Sequence, residues 1–112
     1  MVVTQNTNKI ILYSQEEANR LMSEFIEPAH LLLAIIRLGE GSAYELLGKA
    51  DFVPEEAKAA LEDSVRGTEK HERIPISGST ERIFRIAEGI SREYRADAVW
   101  SAHMLIAIMR ER

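Results

Sequence analysis

The 112 residues are 46% hydrophobic and 29% charged with a net charge of −4, material for one modest core, and they include no cysteine for a disulfide or a thiolate metal site. A pI near 5.4 excludes a nucleic-acid partner, because neutralising phosphates takes a basic face and the basic residues here are interspersed with acids. No apolar run approaches the roughly 20 residues that span a bilayer, and the first residues lack the pattern of a signal peptide, so the chain reads as soluble and cytoplasmic, with no membrane partner.

From Thr4 to about Leu21, Ile10, Ile11, Tyr13, Ser14, Ala18 and Leu21 fall at helical spacing on one side, while Gln15, Glu16, Asn19 and Arg20 take the other. Glu16 and Glu17 are adjacent, diverge by about 100°, and read as a solvated face rather than an acid–base pair. Pro28 marks a second helix start, and residues 29–38 are apolar almost all round, as in a helix enclosed on several sides. Gly39 and Gly41 break that helix and lack the Lys of a phosphate loop. A short helix through Ala43, Leu46 and Leu47 follows, and Pro54-Glu55-Glu56 opens a fourth that turns Ala57, Leu61 and Val65 inward.

Gly67 to Ser79 is polar and aperiodic and predicts an exposed connection. Ser77 then starts a second long helix with Ile83, Ile86, Ile90 and Tyr94 as its buried stripe, and an enclosed helix runs from Ser101 to about Arg110. Met22, Met104 and Met109 read as core filling.

The second pair of helices repeats the first. Residues 29–37 (AHLLLAIIR) and 102–110 (AHMLIAIMR) match without a gap at an offset of 73, which also pairs Ile10 with Ile83, Tyr13 with Ile86 and Leu21 with Tyr94. The fold expected is one all-α domain over 1–112, a pseudo-twofold repeat of four-helix units: repeat one about 4–66, a linker about 67–76, and a partial repeat about 77–112 that stops after its second helix. The early stop fits either a trimmed form or a natural short form whose open flank is covered by something else. In a duplicated unit the seam between copies, rather than a catalytic cleft, is the place to look for function.

No nucleophile, base and orienting group can be assembled at helical spacing, so no catalytic residue, metal ligand or cofactor site is assigned. His30 and His103 each follow a helix start and read as structural, bonding the neighbouring loop, and His71 as solvated. Thr4 and Ser77 are N-caps whose hydroxyls sit beside free N–H groups, which suits an anion. Trp100, the one tryptophan, has two open readings: a packed aromatic, or an exposed anchor for a partner peptide.

The long helix with S-x-E-E-A-x-R-L, then H-L-L-L-A-I-I-R-L-G-E-G-S-A-x-x-L-L, the pattern recurring after a polar linker, resembles the Clp amino-terminal domain, most closely that of ClpC-type AAA+ unfoldases. The resemblance implies a non-catalytic domain that receives adaptor proteins or marked protein substrates and passes them to an ATPase module and a Clp protease. No G-x-x-x-x-G-K-[ST] loop is present, so this chain by itself should not hydrolyse ATP. An alternative within the same resemblance is a free-standing Clp-domain accessory protein that binds a protease core and adjusts its assembly.

The resemblance also implies two equivalent phosphoarginine pockets, with Thr4 and Ser77 on the phosphate and a Glu before each His on the guanidinium. That Glu is replaced by Ala29 and Ala102, and the Gly two residues earlier by Glu27 and Trp100, at matched positions in both copies. Such paired changes fit a natural relative of different specificity or a deliberately altered variant. Glu27 could return a carboxylate to the first pocket; Trp100 cannot do so in the second. Asp51 replaces another family Gly, where Asp tolerates a left-handed backbone better than most residues.

Overall fold

The computed structural model describes residues 1–111 and forms six helices: α1 Gln5–Arg20, α2 Pro28–Leu38, α3 Ser42–Gly48, α4 Pro54–Val65, α5 Gly78–Glu93 and α6 Ser101–Arg110. No helix among the described residues is long and apolar enough to cross a membrane. The helix starts follow local chemistry. Thr4 and Ser77 cap α1 and α5 by accepting the N–H of Thr7 and Thr80, and Pro28 and Pro54 open α2 and α4 where no helical amide is needed. Gly39, with φ 65°, closes α2 in the left-handed conformation that glycine adopts without penalty.

α2 touches all five other helices, which explains its nearly continuous apolar sequence. Its Leu31, Ala34 and Ile35 join Ile10 of α1, Ile83, Ala87 and Ile90 of α5, and Met104, Leu105 and Ala107 of α6 in one core. Fully buried alanines at 18, 34, 87 and 107 lie within α1, α2, α5 and α6. The 73-residue offset is therefore structural: α5 and α6 repeat α1 and α2, down to left-handed Met22 (φ 56°) and Arg95 (φ 54°) at the equivalent corners. Asp51 is also left-handed, with φ 50°.

Several expectations are corrected by packing. Tyr94 and Met109 are exposed, at 68% and 63%, rather than buried, because no counterpart of α4 covers their flank among the described residues. Tyr94 instead stacks on His103 with ring centroids 6.2 Å apart. Met22 leaves the core because its left-handed backbone turns the chain outward, and it is 38% exposed. Glu17 is not solvated: at 7% exposure it accepts two hydrogen bonds from Arg20 and lies 3.6 Å from Arg37. Burial would raise its carboxyl, but the Arg20 hydrogen bonds and charge, with Arg37, outweigh that and hold it below its ordinary value. Arg20 also reaches Glu62 at 2.6 Å and so ties α1 to α4.

The connection after α4 is also not simply exposed. Gly67 donates its N–H to Leu21 O, and farther on Ile26 N–H donates to Pro75 O while Ser77 N–H donates to Ile26 O. Both ends of this segment are thus clipped to the α1–α2 corner. His71, between them, is half-buried rather than solvated.

Candidate functional site

The two repeats exchange their leading segments. Thr4 N–H donates to Val99 O at 3.1 Å, and Val99 N–H to Val2 O at 2.8 Å, so the start of α1 lies against the α5–α6 loop. In the mirror relation, the start of α5 lies against the α1–α2 loop through the bonds of Ile26 to Pro75 and Ser77. Two buried threonines lock the exchange. Thr7 Oγ1 donates to Val99 O at 2.8 Å and Thr80 Oγ1 to Ile26 O at 2.7 Å. Each threonine hydroxyl also bonds its N-cap, Thr4 at 2.9 Å and Ser77 at 3.0 Å. Because the Thr7 proton is committed to Val99, the Thr4 hydroxyl donates to Thr7, and neither N-cap hydroxyl is idle.

This crossing decides which candidates meet. Thr4 adjoins Trp100 of the other repeat, and Ser77 adjoins Glu27; they do not pair within their own copies, as the sequence order suggested. A cavity of about 440 Å³ gathers Thr4, Gln5, Asn6, Gly41, Ser42, Glu45, Trp100 and Ser101. Glu27 lines a different cavity of about 400 Å³, with Met22, Phe25, Gly67 and His71 among its walls. Ala29 and Ala102 are half-buried, and neither they nor Ser77 line these two cavities.

The Thr4 cavity has a fixed frame. Ser42 Oγ accepts the N–H of Ala102 at 2.9 Å and Ser101 Oγ accepts the N–H of Ala43 at 3.0 Å, so α3 and α6 cap each other at their first turns. Gly41, at φ 93°, leads into α3 in a backbone conformation that L side chains rarely adopt, and a Cβ there would crowd the Asn6 side chain of α1 at 2.7 Å and Ser101 Oγ at 3.4 Å. The first-turn amides of Gln5 and Asn6 have no helical carbonyl to bond and stand at the cavity's edge. Trp100 is 53% exposed at the mouth, so its ring is not enclosed in the core. Its backbone is held by its own N–H donating to His103 Nδ1 at 2.9 Å.

His30 plays the matching part in the first repeat and more. Glu27 N–H donates to His30 Nδ1 at 2.8 Å, which puts the ring proton on Nε2, 2.9 Å from Ser23 Oγ; that hydroxyl in turn donates to Val65 O at the end of α4. Burial pushes the imidazole below its ordinary value despite the nearby Glu27 and Glu17. Both histidines are thus structural. In the second repeat position 96 is Ala where the first has Ser23, and the relay stops at His103.

The family model of the Clp repeat (R) N-terminal domain matches residues 2–112. The chain belongs to this family. Among curated relatives, a Bacillus subtilis protein named negative regulator of genetic competence ClpC/MecB is 28% identical over 109 residues, which is 96% of this chain and 14% of that protein. A Brassica napus chloroplastic protein, named ATP-dependent Clp protease ATP-binding subunit ClpA homolog, is 27% identical over 110 residues, 96% of this chain and 13% of that one. Among solved structures, the N-terminal domain of Hsp104 from Candida albicans superposes with a TM-score of 0.85 at 19% identity, covering 99% of this chain and 75% of that one, a likeness of fold. This Clp repeat chain thus corresponds to a small fraction of its curated relatives' length.

Sequence reasoning missed Thr7, Thr80, Ser42, Ser101 and Glu45. The threonines did leave a signal: Thr4-x-x-Thr7 and Ser77-x-x-Thr80 stand at the same 73-residue offset as the helices. Ser42, Ser101 and Glu45 left none, because their roles depend on α3 meeting the second copy's α6.

Proposed function

We propose that this chain is a non-catalytic recognition domain that receives adaptor proteins or marked polypeptide substrates for a Clp-type ATP-dependent unfoldase and its protease. The observation that carries this reading is the Thr4 cavity: a rigid, aromatic-rimmed recess built from both repeats, in a chain of a family whose relatives include the named ATP-binding subunit of a Clp protease. Nothing in the cavity resembles a nucleophile with its base, whereas an exposed aromatic beside helix first turns suits peptide capture.

In the ClpC pattern the mark is phosphoarginine, with Thr4 and Ser77 toward the phosphate. The guanidinium-binding carboxylates are missing at Ala29 and Ala102, and a charge-assisted contact of that kind is worth roughly 1.5–3 kcal/mol, or about one to two decades of affinity per site. Calorimetry with an arginine-phosphorylated peptide should therefore find the Ala29→Glu, Ala102→Glu double variant binding about 10- to 100-fold more tightly than the unaltered chain. Equal binding by both would refute the role given to those two positions. Silence from both toward this peptide and toward unfolded casein would refute polypeptide recognition itself.

A further inference from the structure

We infer that the flank of α5 and α6 bearing Tyr94, Ile106 and Met109 is a contact surface for a second copy of this chain, the two copies packing face to face about a twofold axis. The repeats differ in burial along one strip. Leu21, Ser23, His30 and Leu33 are buried, whereas their counterparts at the 73-residue offset are exposed at Tyr94 and half-buried at Ala96, His103 and Ile106. Ile36 is half-buried and its counterpart Met109 exposed. In the first repeat α4 occupies this strip: Ser23 Oγ donates to Val65 O, and Lys58 shares a cavity of about 240 Å³ with Leu33 and Ile36. In the second repeat the strip is continuous, since Tyr94 stacks on His103 while His103, Ile106 and Arg110 stand three and four residues apart along one face of α6. An uncovered apolar strip with charges at its rim marks an interaction surface.

The charges choose the occupant. In the first repeat Arg20 and Arg37 both reach the buried Glu17, and Arg20 also reaches Glu62 of α4. The counterparts of Arg20, Arg37 and Glu17 are Glu93, Arg110 and Ile90, so one base has become an acid and the shared carboxylate an apolar side chain. Glu93 and Arg110 form no ion pair among the described residues. A helix of the α4 type would set the acid of Glu62's position against Glu93 and be repelled. The occupant must instead bring a base to Glu93, an acid to Arg110 and an apolar surface beside them. This flank, turned about a twofold axis, carries that set, which is the self-complementarity an isologous contact requires. The net charge of −4 on each copy opposes association, but at physiological salt a screening length of about 8 Å leaves contacts across the seam in control. The Thr4 cavity takes no part, so the contact is independent of the recognition reading.

Sedimentation equilibrium of the whole chain tests this. The unaltered chain should pass from monomer to dimer as its concentration rises from about 0.01 to 1 mM. Met109→Asp, at an exposed position that folding does not depend on, should weaken association about tenfold or more. Glu93→Arg and Arg110→Glu, each setting like charges across the seam, should each weaken it about tenfold. The Glu93→Arg, Arg110→Glu double variant should recover to within about threefold of the unaltered chain. Thermal melts of the same variants check that each remains folded. A chain monomeric throughout leaves the flank to another protein and overturns the inference. Growth beyond the dimer, a dimer indifferent to Met109→Asp, or a double variant as weak as the single ones overturns it as well.

Discussion

Gly67→Ala is expected to lower the free energy of unfolding by about 2 kcal/mol, a cost typical of inserting a methyl group where nothing can yield. A Cβ at Gly67 would sit 1.9 Å from Met22 O and 2.9 Å from Met22 C, both backbone atoms. Met22 cannot move aside cheaply. It already occupies a left-handed conformation at φ 56°, its own N–H is committed to Asn19 O, and the following Ser23 N–H to Ala18 O. The strain must therefore fall on the joint that α4 makes with the α1–α2 corner, where Gly67 N–H bonds Leu21 O and Ser23 bonds Val65 O. α4 has few other holds, since it contributes no fully buried residue and packs chiefly on α2. Gly48→Ala is the control: a Cβ there meets nothing within 4 Å, and stability should stay level or rise by about 0.5 kcal/mol. Urea unfolding of the two variants side by side checks this, and equal midpoints would mean that the corner does not hold α4.

The second large effect is expected at His30. Its ring is fully buried and joins the loop before α2 to the end of α4 through Ser23. His30→Ala should cost about 3 kcal/mol, combining a cavity with the unpaired Glu27 N–H and a weakened Ser23 relay. The same geometry sets a pH dependence. The folded ring is held neutral, with its titration below the ordinary 6.5 because burial disfavours the cation, and Nδ1 is engaged as an acceptor. Between the lowered folded value and 6.5 the unfolded chain binds more protons, so stability falls as the pH drops through that window and is regained above it. His103, lowered for the same reason but less enclosed, adds in the same direction. Thermal melts from pH 7.5 to pH 5 should show a declining midpoint that is visibly flatter in His30→Gln. A His30→Gln variant with the full acid slope would place the titrating group elsewhere.

Much of the fold was legible because each element carries its own signal. Thr4, Ser77, Pro28 and Pro54 mark helix starts by chemistry that acts within one turn, and the apolar run 29–38 is enclosed as its composition implies. The errors share a cause. Tyr94 and Met109 were assigned to the core by periodicity, which registers a stripe but not whether a neighbour covers it, and Glu17 was assigned to solvent by residue type although Arg20 and Arg37 make its burial tolerable. The site was legible only in halves. Thr4 and Trp100 could each be singled out from the sequence, but their meeting depends on Thr7 and Thr80 bonding the opposite repeat across 92 and 54 residues. A duplication read along the chain suggests two self-contained pockets; the crossed segments make the Thr4 cavity a joint product of both copies.

Amide and indole N–H shifts of the isotope-labelled chain, followed by NMR as the arginine-phosphorylated peptide is added, test that joint site most directly. The account predicts that Gln5 and Asn6 of α1, Ser42 and Glu45 of α3, and Ser101 with the Trp100 indole move together along one saturation curve. Shifts confined to one repeat, or gathered instead around Met22–Phe25 and Gly67–His71, would contradict it.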